Sequence, residues 1–229
     1  MTATALRLNR KLDAIDGSLL IVSLVCGIAY LITRGVPAFP GSVVIKGLSV
    51  ALLALLAFRL LSDRDGLILG VSLLFSSLGD VFLGLGDLQW FVFGLGSFLI
   101  AHLLYIALFV RHWPKPFTAS RSQKLLAVLL IAFSVAMFVW LWPGLGDLKI
   151  PVAAYLCALI GMGVTATLAA FRVRWIVIGA WLFILSDSMI AVGKFKSPIA
   201  YSNYLIWFTY YVAQLCIAVG FIREKQQDG

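Results

Sequence analysis

Charge is scarce in this chain, and so are the residues that most often carry metal or redox chemistry. Of 229 residues, 12% are charged and 62% are hydrophobic, whereas soluble domains carry about 25% charge. That excludes an ordinary soluble domain. Only two histidines are present, His102 and His112, too few for a histidine-rich zinc site. The three cysteines, Cys26, Cys157 and Cys216, fall in apolar stretches without CxxC spacing. They read as small buried apolar side chains, not a redox pair or metal site. Alternating segments of about 10 residues, the mark of a membrane β-barrel, are missing as well. No metal and no other cofactor is expected.

Long apolar runs are what the chain does have. They predict spans at about 18–33, 43–61, 67–83, 90–110, 124–142, 150–171, 175–192 and 202–222, broken by Pro, Gly and charge. The expected fold class is all-α: one polytopic transmembrane domain over 1–229, a bundle of about eight helices. The opening segment MTATALRLNRKLDAIDG is basic and weakly amphipathic, and no small-residue cleavage site follows it. It therefore reads as the approach to a first membrane helix, not a removed signal.

The net charge of +8 does not indicate nucleic acid, because the basic residues sit between the spans. In an eight-span topology only Arg34, Lys46, Lys149, Lys194 and Lys196, of 18 lysines and arginines, fall on or toward one side. The positive-inside bias then places both termini in the cytoplasm of a multi-pass protein of the cell (inner) membrane.

Two acids interrupt the oil. Asp80 lies in the run Leu67–Leu83 and Asp187 in Trp175–Val192. A charge at hydrocarbon depth costs roughly 2.5–3.5 kcal/mol on lenient scales, so such residues face the bundle interior and mark function. Lys46 falls at the same depth, in the outer half, with His102, Tyr210, Tyr211 and Gln214 somewhat deeper. Helical spacing sets Ser76, Ser77 and Asp80 on one face, His102 and Tyr105 on another. Asn203, Trp207, Tyr210, Tyr211 and Gln214 make a polar-aromatic stripe on the last span. The competing structural readings are interhelical hydrogen bonding for the polar groups and snorkelling for Lys46. Gly84-Leu85-Gly86-Asp87 and Gly144-Leu145-Gly146-Asp147 match the GxGD sequence of intramembrane aspartyl proteases, but both read as inter-helix turns. A lysine beside one aspartate favours its ionised form while an apolar wall protonates the other, giving an acid and a base from identical side chains.

Lys46, Leu78-Gly79-Asp80-Val81-Phe82-Leu83, Ala101-His102-Leu103-Leu104-Tyr105, Ser186-Asp187-Ser188 and Tyr210-Tyr211-Val212-Ala213-Gln214 together resemble the YhhN-like lysoplasmalogenase family. The similarity runs from about Ser42 to Phe221, with a departure at Gly47, where many relatives carry proline. The resemblance implies an eight-helix integral membrane hydrolase that cleaves the vinyl ether bond of a lysoplasmalogen drawn from the bilayer. Its products are a fatty aldehyde and a glycerophospho-ethanolamine or glycerophosphocholine. Asp80 and Asp187 would be the catalytic pair. Lys46, His102, Tyr105, Ser188, Tyr210, Tyr211 and Gln214 would orient water or substrate, with Lys46 tuning an aspartate or approaching the lipid phosphate. The other reading of the same intramembrane acids is a proton-coupled transporter or channel.

Overall fold

The structure, a computed structural model, describes residues 13–34 and 40–227. The basic residues Arg7, Arg10 and Lys11 and the centre of the first break, 35–39, lie outside the described residues. Eight helices follow one another: α1 (Ala14–Thr33), α2 (Pro40–Leu60), α3 (Arg64–Gly84), α4 (Leu88–Val110), α5 (Arg121–Leu141), α6 (Lys149–Leu168), α7 (Trp175–Phe195) and α8 (Ser202–Gln227). All eight are long and apolar enough to cross a membrane. The protein is a multi-pass integral membrane protein. There is no strand among the described residues.

Polar caps explain where the helices begin. Asp13 and Asp16 close a capping box at α1, and Ser120 and Gln123 do the same at α5. The Asp63 carboxylate accepts from the Gly66 N–H at α3. These caps start α3 and α5 three residues before the apolar runs do. At the end of α6 the expected span, 150–171, is too long: the helix stops at Leu168. The Gln123 side-chain amide takes up the terminal carbonyls of Thr167 and Ala169, and the Ala170 N–H turns to the His112 carbonyl. With those carbonyls satisfied outside the helix, it need not continue. Both GxGD segments lie between membrane helices, the first running off the end of α3 and the second in a pair of short 3-10 helices (Trp142–Gly144 and Gly146–Leu148), with φ of +90° at Gly86 and +50° at Gly146. Cys157 is exposed on α6, not buried as its apolar surroundings implied; Cys26 and Cys216 are half-buried.

Six helices close a ring, α2–α3–α4–α6–α7–α8 and back to α2. Helix α1 lies outside it against α2 and α8, and α5 lies outside against α6 and α7. Sequence neighbours therefore pack together except at α4 and α5, which the longest loop joins; α4 packs on α6 instead. The principal contacts repeat when α1–α4 are exchanged with α5–α8: α1 on α2 as α5 on α6, and α4 on α6 as α8 on α2.

One end of the ring is tied by charge. Asp65, buried at the start of α3, meets Arg111 Nε at 2.6 Å, His112 Nε2 at 3.2 Å and Lys225 Nζ at 3.1 Å. Lys225 also pairs with Asp63 at 2.6 Å. Buried Glu224 accepts the backbone N–H groups of Arg172 and Val173, at 3.1 and 2.7 Å, in the α6–α7 turn. This ionic end joins α3, α4, α7 and α8 and leaves the opposite end free to open. Replacing Asp65 with alanine strands three donors at a shared point, and breaking a buried ionic contact of this kind costs about 3 kcal/mol. Asp65→Ala is expected to lower the thermal midpoint in detergent by several degrees, whereas Asp147→Ala, in an exposed turn, leaves it in place.

Candidate active site

At the end opposite the ionic knot the ring encloses a cavity of about 700 Å³, lined by both Asp80 and Asp187. Its floor is aromatic. Phe98, Phe183 and Tyr210 meet edge-to-face in all three pairings, with centroids 5.2–5.9 Å apart, and His102 stands edge-on to Phe183 at 4.8 Å. Such a floor separates the cavity from the apolar core below.

Asp80 on α3 is 2% exposed and fully partnered. Lys46 Nζ, from α2, lies 3.2 Å from its Oδ1 and donates to its backbone carbonyl at 3.2 Å. The Tyr210 hydroxyl, from α8, donates to Oδ2 at 2.6 Å. Close approach of α2 to α3 makes the ion pair possible. A Cβ at Gly47 would stand 2.7 Å from Val81 Cγ2, and the Gly47 carbonyl accepts the Ser77 hydroxyl at 2.7 Å. The departure at Gly47 is thus a contact surface. Behind Tyr210, the Gln214 amide donates to its hydroxyl at 3.2 Å and accepts from Tyr105 at 2.8 Å. Tyr105 and Gln214 are buried outside the cavity and reach Asp80 only through Tyr210.

Asp187 on α7 is 10% exposed, the more open of the two acids. The Tyr155 hydroxyl, from α6, donates to its Oδ2. His102 Nε2, from α4, lies 3.0 Å from that hydroxyl and 3.8 Å from the same carboxylate oxygen. Tyr155 has a single proton and gives it to Asp187, so His102 serves as the Nε2–H tautomer and donates to the phenol oxygen. Its Nδ1 is buried without a partner among the described residues.

The sites of the two acids are counterparts under the exchange of helix halves. Asp80 on α3 holds α2 (Lys46) and α8 (Tyr210); Asp187 on α7 holds α6 (Tyr155) and α4 (His102). Lys46 and Tyr155 each stand six residues after the first residue of their helix. The frame repeats but the chemistry does not, since a lysine on one side is replaced by a phenol on the other.

Two expected site residues, Ser188 and Tyr211, take no part in the hydrogen bonds around either acid. The Ser188 hydroxyl turns back to the Ile184 carbonyl at 2.7 Å, the usual habit of a helical serine without another partner. Tyr211 points away from the cavity toward α1: its hydroxyl is 2.8 Å from Ser23 Oγ and its ring stacks on Trp207 and covers Gly27. One residue along a helix turns the side chain by about 100°, so Tyr210 and Tyr211 cannot share a face. Tyr155, absent from the sequence expectations, is the residue that links Asp187 to His102. Its only sequence signal is a helical position matching that of Lys46.

The fold and cavity define a polytopic membrane protein whose two intramembrane carboxylates share one chamber of about 700 Å³. Residues 41–221 match the YhhN family, and the chain belongs to it. Among curated proteins it is similar to a lysoplasmalogenase of Mycobacterium tuberculosis (strain CDC 1551 / Oshkosh), 37% identical over 193 residues, which cover 83% of this chain and 71% of that protein. Human lysoplasmalogenase TMEM86A is 34% identical over 165 residues, 68% of this chain and 65% of that protein. The bovine lysoplasmalogenase TMEM86A is 32% identical over 166 residues, 68% of this chain and 65% of that protein. No solved structure matches the chain significantly.

If the Lys46–Asp80 contact is an ion pair buried in the bundle, its halves are coupled. Lys46→Met alone is expected to destabilise by about 3–5 kcal/mol, because it leaves a carboxylate unpaired. Lys46→Met with Asp80→Asn loses less than the sum of the single changes, as read from thermal midpoints in a double-mutant cycle. Additive losses would show that the two side chains do not interact.

Proposed function

We propose that this protein is a lysoplasmalogenase-type hydrolase that cleaves the vinyl ether of a lysophospholipid-like substrate, with Asp187 as the acid and Asp80 as the carboxylate. The observation that carries the reading is the pair itself: two carboxylates of unlike surroundings lining one chamber at membrane depth. Membership of the YhhN family, whose curated relatives here are named lysoplasmalogenases, supports the reaction class.

The chemistry follows from the partners. Hydrolysis of a vinyl ether begins with proton transfer to the alkene carbon remote from oxygen, which creates an oxocarbenium ion. Asp187 is the acid because it is the more open to the cavity and its hydrogen-bonding neighbours are a phenol and an imidazole, with no lysine or arginine. Asp80 is held as a carboxylate by the Lys46 ammonium and the Tyr210 hydroxyl, and it stabilises the cation. It then takes a proton from the water that attacks the oxocarbenium carbon. The resulting hemiacetal collapses: its hydroxyl proton passes to the departing glycerol oxygen, and the carbon keeps the carbonyl as a fatty aldehyde. One water is consumed, and the proton on Asp80 replaces the one lost from Asp187. The division of labour parallels that of two-carboxylate glycosidases, which meet a similar cation. No step requires a metal.

Tyr210 and Tyr155 fix the carboxylates, and His102 fixes Tyr155. Tyr105 and Gln214 act one contact further back, by holding the Tyr210 hydroxyl. The apolar lining, including Leu95, Phe98, Val152, Met189 and Ile190, suits the alkenyl chain. The tie of basic residues at the opposite end supports a cavity that opens away from the cytoplasm.

Purified protein is expected to release aldehyde from a synthetic lysoplasmalogen, and in D2O the product acquires one deuteron on the carbon next to the carbonyl. Asp187→Asn and Asp80→Asn should each cut kcat by roughly 10²–10⁴-fold, the usual worth of a positioned acid or base. Correctly inserted Asn variants that cleave at the wild-type rate would defeat this mechanism.

A further inference from the structure

The rim of the cavity carries two cations that meet no carboxylate among the described residues. Arg34, just past the end of α1, donates through Nη1 to the Tyr30 hydroxyl at 3.0 Å. Its Nε is buried and has no partner among the described residues. Lys194, in the last turn of α7, is exposed, with its ammonium 4.7 Å from the centroid of the Phe91 ring. Both line the same chamber as the two catalytic acids. Lys46 lines it too, but its ammonium is engaged by Asp80. Asp87 is the remaining acid of the lining, and it forms no ion pair with Arg34 or Lys194 among the described residues. The rim thus carries one net positive charge from these three groups. A partly buried guanidinium with an unused donor favours an anion, and Arg forks match phosphate oxygens in particular.

We propose that Arg34 and Lys194 form a phosphate subsite for the headgroup of a lysophospholipid, and that this subsite sets how far the substrate reaches into the chamber. The proposal rests on the hydrolase reading above and adds the anchor that reading lacks. Lys194 follows Asp187 by seven residues on one helix, which places it about 10 Å nearer the opening. In a 1-alkenyl-glycerophospholipid, seven bonds separate the alkene carbon that takes the proton from the phosphorus. At about 1.5 Å per bond, zigzagged, they span about 9 Å. A phosphate held at the rim therefore brings the vinyl carbon level with Asp187. The single negative charge of a phosphodiester also equals the rim's excess. Lys46, whose ammonium is occupied, is left to the carboxylate and not to the phosphate.

The test uses binding, so that it does not depend on cleavage. Saturated 1-O-alkyl-glycerophosphoethanolamine and 1-O-alkylglycerol of the same chain length have no vinyl ether to break. Their affinities for the full-length protein in detergent are compared by tryptophan fluorescence. The wild type is expected to prefer the phospholipid by roughly tenfold or more. Lys194→Gln reduces that preference several-fold, and Arg34→Gln with Lys194→Gln removes it. Arg34→Lys keeps much of it, and Lys196→Gln, outside the cavity lining, keeps all of it. Inorganic phosphate at concentrations matching the lipid is expected to displace neither ligand. No preference in the wild type, an undiminished preference in the double variant, or an equal loss of affinity for both ligands would overturn the subsite. So would displacement of the phospholipid by inorganic phosphate, which would assign the rim to a free anion. Failure of the wild type to release aldehyde from the alkenyl lipid, with the phosphate preference intact, would instead defeat the hydrolase reading alone.

Discussion

An ionised side chain inside a lipid bilayer needs a partner, and the placement of the cavity depends on that requirement. The Asp80 carboxylate is nearly sealed from solvent, so its charge is tolerable only with the Lys46 ammonium at 3.2 Å and the Tyr210 hydroxyl at 2.6 Å. Those partners come from α2 and α8, which bind α3 into the ring at the level of the chamber. Removing the glycine at position 47 would push α2 from α3 and lengthen the contact. A chemical need for one carboxylate thus sets the separation of helices. At the far end, Asp65 and Glu224 impose the same discipline with other partners and hold the ring shut there.

The ring is built twice from one contact plan. Helices α2, α3 and α8 converge on Asp80, and α6, α7 and α4 converge on Asp187. Two equivalent positions in such a plan would give two carboxylates of like surroundings. The plan is broken at the partners of the acids. Where Lys46 supplies an ammonium to the first acid, Tyr155 supplies a neutral hydroxyl to the second. His102 and Tyr210, also counterparts, differ in the same sense, an imidazole against a phenol. Repetition gives the two acids like frames, and the substitutions between the halves give them unlike partners.

Much of this was legible in the residues, for a physical reason. Asp80, Asp187 and Lys46 stand out because charge within an apolar run is improbable without a purpose, and the lengths of the runs locate eight spans. Helix starts were misplaced by three residues at α3 and α5, because Asp63 and Ser120 cap polar first turns that hydropathy discounts. Tyr155 was invisible: a tyrosine among apolar residues looks like any interfacial aromatic, and its importance arises only when α6 meets α7. The stripe on α8 misled in the opposite direction. Tyr210 and Tyr211 are adjacent, and spacing cannot say which of two neighbours faces inward. Packing decides it, since the Tyr211 ring fills the space left by Gly27 on α1 while Tyr210 turns to Asp80.

The same logic extends to the hydrogen bonds that hold the acids. On the proposed mechanism, an acid that must release a proton onto carbon, a weak acceptor, gains nothing from a mobile carboxyl whose proton finds water instead. Tyr155 and His102 hold Asp187 in one orientation, and the Phe98–Phe183–Tyr210 floor keeps bulk water from below. On the proposed mechanism water must nevertheless enter once, to attack the oxocarbenium carbon, through the opening proposed for the end of the ring away from the ionic knot. A lipid anchored across that opening would admit the few waters already inside and exclude the rest. On the two proposals above, headgroup recognition at the rim and proton transfer at depth would be parts of one device, in which the substrate itself closes the site.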